Sequence, residues 1–232
     1  LQQFADGDIS KASRYSGILM ASYAVMQFIF SPIMGGLSDK FGRRPVLLFS
    51  LFGFGLDYIL LGFAPNLTWL FIGRIIAGIT GASFTTASAY IADISKPEDR
   101  AKNFGMIGAA FGLGFIVGPA IGGILATFGT RVPFFAAAVL TLANWLYGYF
   151  ILPESLAPEN RRPFEWKRAN PIGTLTSLGK YPVILGLLIS YFCLSVGGQV
   201  HPSTWTFFTI KEFGWTPAQV GYSLAFFGLM VA

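Results

Sequence analysis

The stretch Gly35-Gly36-Leu37-Ser38-Asp39-Lys40-Phe41-Gly42-Arg43-Arg44-Pro45 is a charged tight turn between two long apolar runs. Runs joined this closely must be antiparallel neighbours. The cations Lys40, Arg43 and Arg44 place the turn on the cytoplasmic side of a bilayer by the positive-inside rule. A polytopic membrane protein is the expected architecture, and the rest of the chain agrees. Hydrophobic residues make up 53% of the 232 positions and charged residues 12%, about half the charged share of a soluble domain. The 28 glycines fall mostly inside apolar runs, where they let helices approach closely in lipid.

At roughly 20 apolar residues per crossing, seven spans are expected, at about 15–37, 46–64, 67–92, 104–127, 133–152, 183–209 and 217–232. The runs are continuous rather than alternating, which selects helices over barrel strands. The fold class is all-α. Of the 16 Lys and Arg residues, eleven fall on the side of the 38–45 turn, Arg74 lies within a span, and Lys11, Arg14, Arg131 and Lys211 lie on the other side. That bias puts the amino end outside and the carboxyl end inside. It also accounts for the formal charge of +5 without nucleic acid, which is not an expected partner. The lone Cys193 excludes an intrachain disulfide.

Residues 1–152 read as one helical bundle, 153–182 as a cytoplasmic linker with five prolines, and 183–232 as the start of a second bundle. The run from Gly17 to Met26 aligns on Gly221 to Met230 with glycine, alanine and methionine matched, as parallel repeats would. The chain starts at Leu1 with no initiator methionine or signal sequence, so a fragment is expected.

Asp57 and Arg74 are ionisable residues deep within spans. Burying either costs at least about 3 kcal/mol on insertion scales. Each lies seven residues from the outer end of its helix, about 10 Å down at 1.5 Å per residue, so the two can pair. Such a pair is either a fixed structural ion pair or a titratable, substrate-facing one. Asp39 is either a helix cap beside topology-setting arginines or part of a latch. Gly114, Gly118 and Gly122 recur every four residues and are expected to form a smooth stripe for a partner helix, with Pro119 inviting a bend. Gly197, Gly198 and Pro202 predict a broken seventh helix around Gln199 and His201, a common lining of substrate sites. His201 is either a hydrogen-bonded bundle histidine or a proton or substrate group. Trp205 and Phe208 read as packing residues.

The turn pattern Gly-x-Leu-x-Asp-x-x-Gly-Arg-Arg closely resembles the loop after the second helix in the major facilitator superfamily. Gly73-Arg74 to Gly81-Ala82 resembles the family's fourth-helix motif, and Leu56-Asp57-Tyr58 the acidic third-helix position of tetracycline-resistance exporters. Gly114-x-x-x-Gly118-Pro119-x-x-Gly122-Gly123 resembles the antiporter signature of drug/proton exporters. The resemblance implies helices two to eight of a twelve-helix transporter, with the first helix before Leu1 and the last four after Ala232. It implies proton-driven export of an amphipathic drug-like molecule, with Asp57 and Arg74 essential and Gln27 lining the cavity. It further implies that Gly35, Asp39, Gly42, Arg43, Arg44 and Asp93 form a conformational latch, Arg43 meeting Asp93 at the inner end of the fourth helix. The expected setting is a bacterial cytoplasmic membrane. The expected partners are lipid, protons and a small molecule, with no cofactor, no metal and a monomeric whole.

Other functions fit less well. No lysine in the final span can hold retinal, no ring of like charges suggests a channel, and one histidine and one cysteine do not make a catalytic set. A facilitator of sugars or other metabolites is the remaining alternative.

Overall fold

The computed structural model describes residues 4–166, 169–173 and 182–231, the side chains of 182, 200–202 and 231 excepted. The regular elements are helices: α1 (Ile9–Phe41), α2 (Arg43–Phe63), α3 (Leu67–Gly81), α4 (Phe84–Ile94), α5 (Arg100–Thr127), α6 (Val132–Ile151), α7 (Pro182–Phe213) and α8 (Pro217–Val231). Among the described residues, six segments are long and apolar enough to cross a bilayer, with α3 and α4 together forming one of them. The seventh expected span is α8, at 15 residues.

The distribution of side chains is the reverse of a water-soluble core. The largest fully buried side chains are Thr86, Thr209, Asp57, Ser38 and Ser50, whereas Phe150 is 74% exposed and Leu194 75%. Water would penalise such a surface; hydrocarbon does not, and in lipid the close contacts fall to small and polar residues. Helix α2 shows the principle. A Cβ on Gly53 would meet Thr80 of α3, and one on Gly55 or Gly62 would meet Leu142 or Phe135 of α6. Its glycines thus seat the neighbours on both sides.

Three expectations change. The seventh helix is not broken: α7 runs unbroken from Pro182 to Phe213. One proline removes a single backbone bond, and Gly197 and Gly198 face open space where no neighbour forces a bend. The break instead lies in the fourth span, where the chain turns at Ala82 and Ser83 between α3 and α4.

Nor does the stripe of Gly114, Gly118 and Gly122 seat a partner among the described residues, since nothing stands within 4 Å of a Cβ built on any of them. Helix α8 packs instead on the neighbouring face of α5. There a Cβ on Gly123 would meet the Pro217 carbonyl at 2.8 Å, one on Gly221 would strike the Pro119 carbonyl, and one on Gly228 would meet Ile116 at 3.0 Å. Ile116, Pro119 and Gly123 share one helical face at spacings of three and four. Gly122, one residue from Gly123, is turned about 100° away from it.

Overpacking a tight contact costs about 1–3 kcal/mol. Gly123→Val should therefore lower the melting temperature of the detergent-purified full-length protein clearly. An unchanged melting temperature would show that α5 and α8 do not meet at Gly123.

Candidate functional site

The turn between α1 and α2 becomes a knot of charge. Gly42 has φ of +105°, a conformation that glycine adopts without strain. It lets α2 start immediately after α1. Arg43, the first residue of α2, is thereby turned back onto the last turn of α1 and is only 9% exposed. Its Nη1 donates to Ser38 Oγ at 2.7 Å and to Asp39 Oδ1, and its Nε donates to Asp93 Oδ2 on α4 at 3.2 Å. One guanidinium thus joins α1, α2 and α4 through two carboxylates.

A cation at a helix amino terminus opposes the helix dipole, and a third acid offsets this. Glu154, just beyond α6, accepts from the Arg43 N–H at 2.8 Å and from the Arg44 N–H at 3.3 Å, capping α2 from 111 residues away. The Glu154 carboxylate occupies the space that a Cβ on Gly42 would need. Ser155 Oγ donates to Asp93 Oδ2 at 3.1 Å, and Arg44 Nη2 donates to the Tyr149 carbonyl at 2.6 Å. Gly35 lies beside Thr85, with 3.8 Å between its built Cβ and Thr85 Oγ1. The latch residues expected from sequence are therefore brought together.

The second charge site joins α2 and α3. Arg74 Nη2 donates to Asp57 Oδ2 at 3.2 Å, with the Asp57 side chain 1% exposed and that of Arg74 30%. The carboxylate lies over Gly73, where a Cβ would stand 2.6 Å from Oδ1. That same Oδ1 is buried without a hydrogen-bond partner among the described residues. The pair is one-sided: one oxygen holds the arginine and the other has no partner among the described residues.

Toward the Arg43 end lies a cavity of about 520 Å³, lined by Gln27, Phe28, Ser31 and Pro32 of α1, Phe84 and Thr85 of α4, and Pro171. Two backbone defects make it polar in places. The break after α3 frees the Gly81 carbonyl, which accepts from Gln27 Nε2 at 3.0 Å; that nitrogen also donates to Tyr23 Oη at 3.3 Å. Pro32 has no N–H to return to the Phe28 carbonyl. Arg74 precedes Gly81 by seven residues, about 10 Å along α3, so the ion pair and the cavity share one helix. Gln27 lines the cavity as expected. Gln199 is exposed on α7, as is every residue from 183 to 199, and does not. The His201 side chain lies outside the described residues. Trp205 packs near Phe208 and Trp215 and donates to Ser223 Oγ at 2.9 Å.

With this geometry, the chain matches the Major Facilitator Superfamily over residues 6–232. It belongs to that family. It is 44% identical over 223 residues to tetracycline resistance protein, class C, of Escherichia coli, covering 96% of this chain and 56% of that one. It is 34% identical over 207 residues to multidrug resistance protein 2 of Bacillus subtilis, covering 88% and 52%. Among solved structures it resembles the human organic anion transporter MFSD10, with a TM-score of 0.72 and 27% identity over 92% of this chain and 54% of that one. The chain spans little more than half the length of these relatives.

Sequence patterns did not reveal Glu154, Ser155 or the part that Gly73 plays as the seat of a carboxylate. The signal for Glu154 was its place: an acid at the end of α6, on the same side as Arg43 and Arg44. Hydrogen bonds to charged groups contribute about 1.5–3 kcal/mol. Glu154→Ala should therefore lower the stability of the full-length protein by about 1–3 kcal/mol in denaturant titration, with Glu154→Gln recovering part of it. A stability unchanged by Glu154→Ala would show that the carboxylate does not cap α2.

Proposed function

We propose that the chain is the larger part of a proton-driven exporter of amphipathic, drug-like molecules of the tetracycline class, working by alternating access in a bacterial cytoplasmic membrane. In this reading α1–α6 act as one bundle and α7–α8 open a second. The Arg43 end faces the cytoplasm, and the whole protein works as a monomer without a cofactor. The observation that carries the proposal is the one-sided Asp57–Arg74 pair, on the helix whose last carbonyl, that of Gly81, binds the cavity residue Gln27. An ionisable group this deep, with a free oxygen, is a site for a proton rather than a packing device.

The cavity lining favours a drug over a sugar. Phe28, Pro32, Phe84 and Pro171 offer apolar walls, and only Gln27, Ser31 and Thr85 bring polar side chains. A sugar would leave most of its hydroxyls without partners, at a cost for each. A flat aromatic molecule with a few polar edges fits that balance. The relatives named for tetracycline and multidrug resistance support the same class.

Coupling follows from charge balance. While Asp57 is ionised, Arg74 stays bound to it. A proton on Oδ1 removes the charge that holds the guanidinium and frees it toward the polar track of Gly81, Gln27 and Tyr23. Because the Arg43 knot ties α1, α2 and α4 at one end of the bundle, bonds made there in only one conformation shift the equilibrium by their differential energy.

In inverted vesicles holding the full-length protein, an imposed proton gradient should drive tetracycline accumulation. Asp57→Asn should reduce it to the level of vesicles without the protein. Arg43→Ala should slow accumulation while leaving tetracycline affinity nearly unchanged. Full accumulation by Asp57→Asn, with the same pH dependence, would make the pair purely structural.

A further inference from the structure

Residues 153–166 and 169–173, which follow α6, do not hang free, as a solvated linker would. The start of this segment is bound by Glu154 and by the Pro153 carbonyl, which accepts from Tyr90 Oη at 3.2 Å. Further on, the Arg162 N–H donates to the Asp39 carbonyl at the end of α1, at 3.0 Å. Phe164 then lies on Gly36, its ring carbons 3.0 Å from where a Cβ would stand. The Phe164 and Trp166 rings meet edge to face, 5.0 Å between centroids. Ala169 is buried, and Pro171 reaches the wall of the Gln27 cavity. The other lining residues belong to α1 or α4.

These contacts lie in register along α1. Pro32 lines the cavity, Gly36 one turn later seats Phe164, and Asp39 binds both Arg43 and Arg162. A side chain at residue 36 would press on the Phe164 ring and displace it by a few tenths of an ångström. Proline at 163 and 171 narrows the conformations open to the strap and so lowers the entropy lost when it docks.

We propose that this segment is a strap in which Phe164 is a positioning residue and Pro171 a specificity-determining one. Docked on Gly36, the strap sets the width of the cavity mouth at the Arg43 end, and with it the range of amphipathic molecules admitted. The inference rests on the Gln27 cavity being the substrate site. A narrower mouth selects by cross-section, so a flat tetracycline and a bulkier phenyl-bearing cation such as ethidium are affected differently.

The test uses the full-length protein with Cys193 and any other native cysteine replaced by serine, carrying Thr85→Cys and Pro171→Cys, treated with a short bis-maleimide. The pair should cross-link. Phe164→Ala and Gly36→Ala should each lower the yield about fivefold, the response of an equilibrium shifted by a single contact. Saturating tetracycline should protect the pair. In the absence of the introduced cysteines, Phe164→Ala should change the ratio of tetracycline to ethidium transport about threefold or more.

If the pair does not cross-link, or cross-links equally in both variants, the strap is overturned whatever the substrate. If the yield falls in the variants but the transport ratio does not move, the strap docks without selecting, and the specificity role is overturned. If cross-linking behaves as expected but tetracycline gives no protection, the cavity is not the substrate site, and that failure belongs to the proposed function.

Discussion

An ionised side chain surrounded by hydrocarbon has no water to turn to, so the protein must carry its counter-charge to the same place. Much of this fold serves that demand. Asp57 comes from α2 and Arg74 from α3, and the two meet only because α2 and α3 pack antiparallel with Gly73 at the contact. At the end of the bundle, Arg43 is nearly buried and binds acids on α1 and α4 while Glu154 caps its helix from beyond α6. Each cation fixes the relative positions of separate helices. Hydrophobic burial cannot do so in lipid, because a leucine gains little by leaving one apolar solvent for another.

Glycine is the second half of the same constraint. Polar groups can meet across helices only where the backbones come close, and the close approaches here occur where a side chain is missing. Gly73 admits a carboxylate, Gly42 makes room for another and turns the chain, Gly36 seats an aromatic ring, and Gly123 and Gly221 bring α5 and α8 together. Such contacts are strong in one arrangement and absent when the helices part. They suit a protein that exchanges between conformations rather than holding one.

Much of this was legible in the sequence. Six of the apolar runs, the pairing of Asp57 with Arg74, and the meeting of Arg43 with Asp93 follow from hydropathy, depth and motif. Glu154 was hidden because its bond to Arg43 spans 111 residues, and an acid among prolines looks like solvated linker. The break at Ala82 and Ser83 was hidden because hydropathy continues through it. The expected break near Pro202 did not occur, because glycine and proline are weaker breakers in a long membrane helix than in water. The four-residue glycine period located a smooth face on α5, yet a period cannot say which face a neighbour will occupy. That choice fell to the adjacent face, at Gly123.

The central claim is that proton and substrate exchange at the Asp57–Arg74 pair. It is tested most directly by adding tetracycline to the purified full-length protein in weakly buffered solution and counting protons with an indicator dye. At a pH low enough for Asp57 to carry its proton beforehand, the parent protein should release about one proton for each tetracycline bound, and Asp57→Asn none. Equal release from both proteins, or none from the parent while tetracycline binds, would contradict the claim.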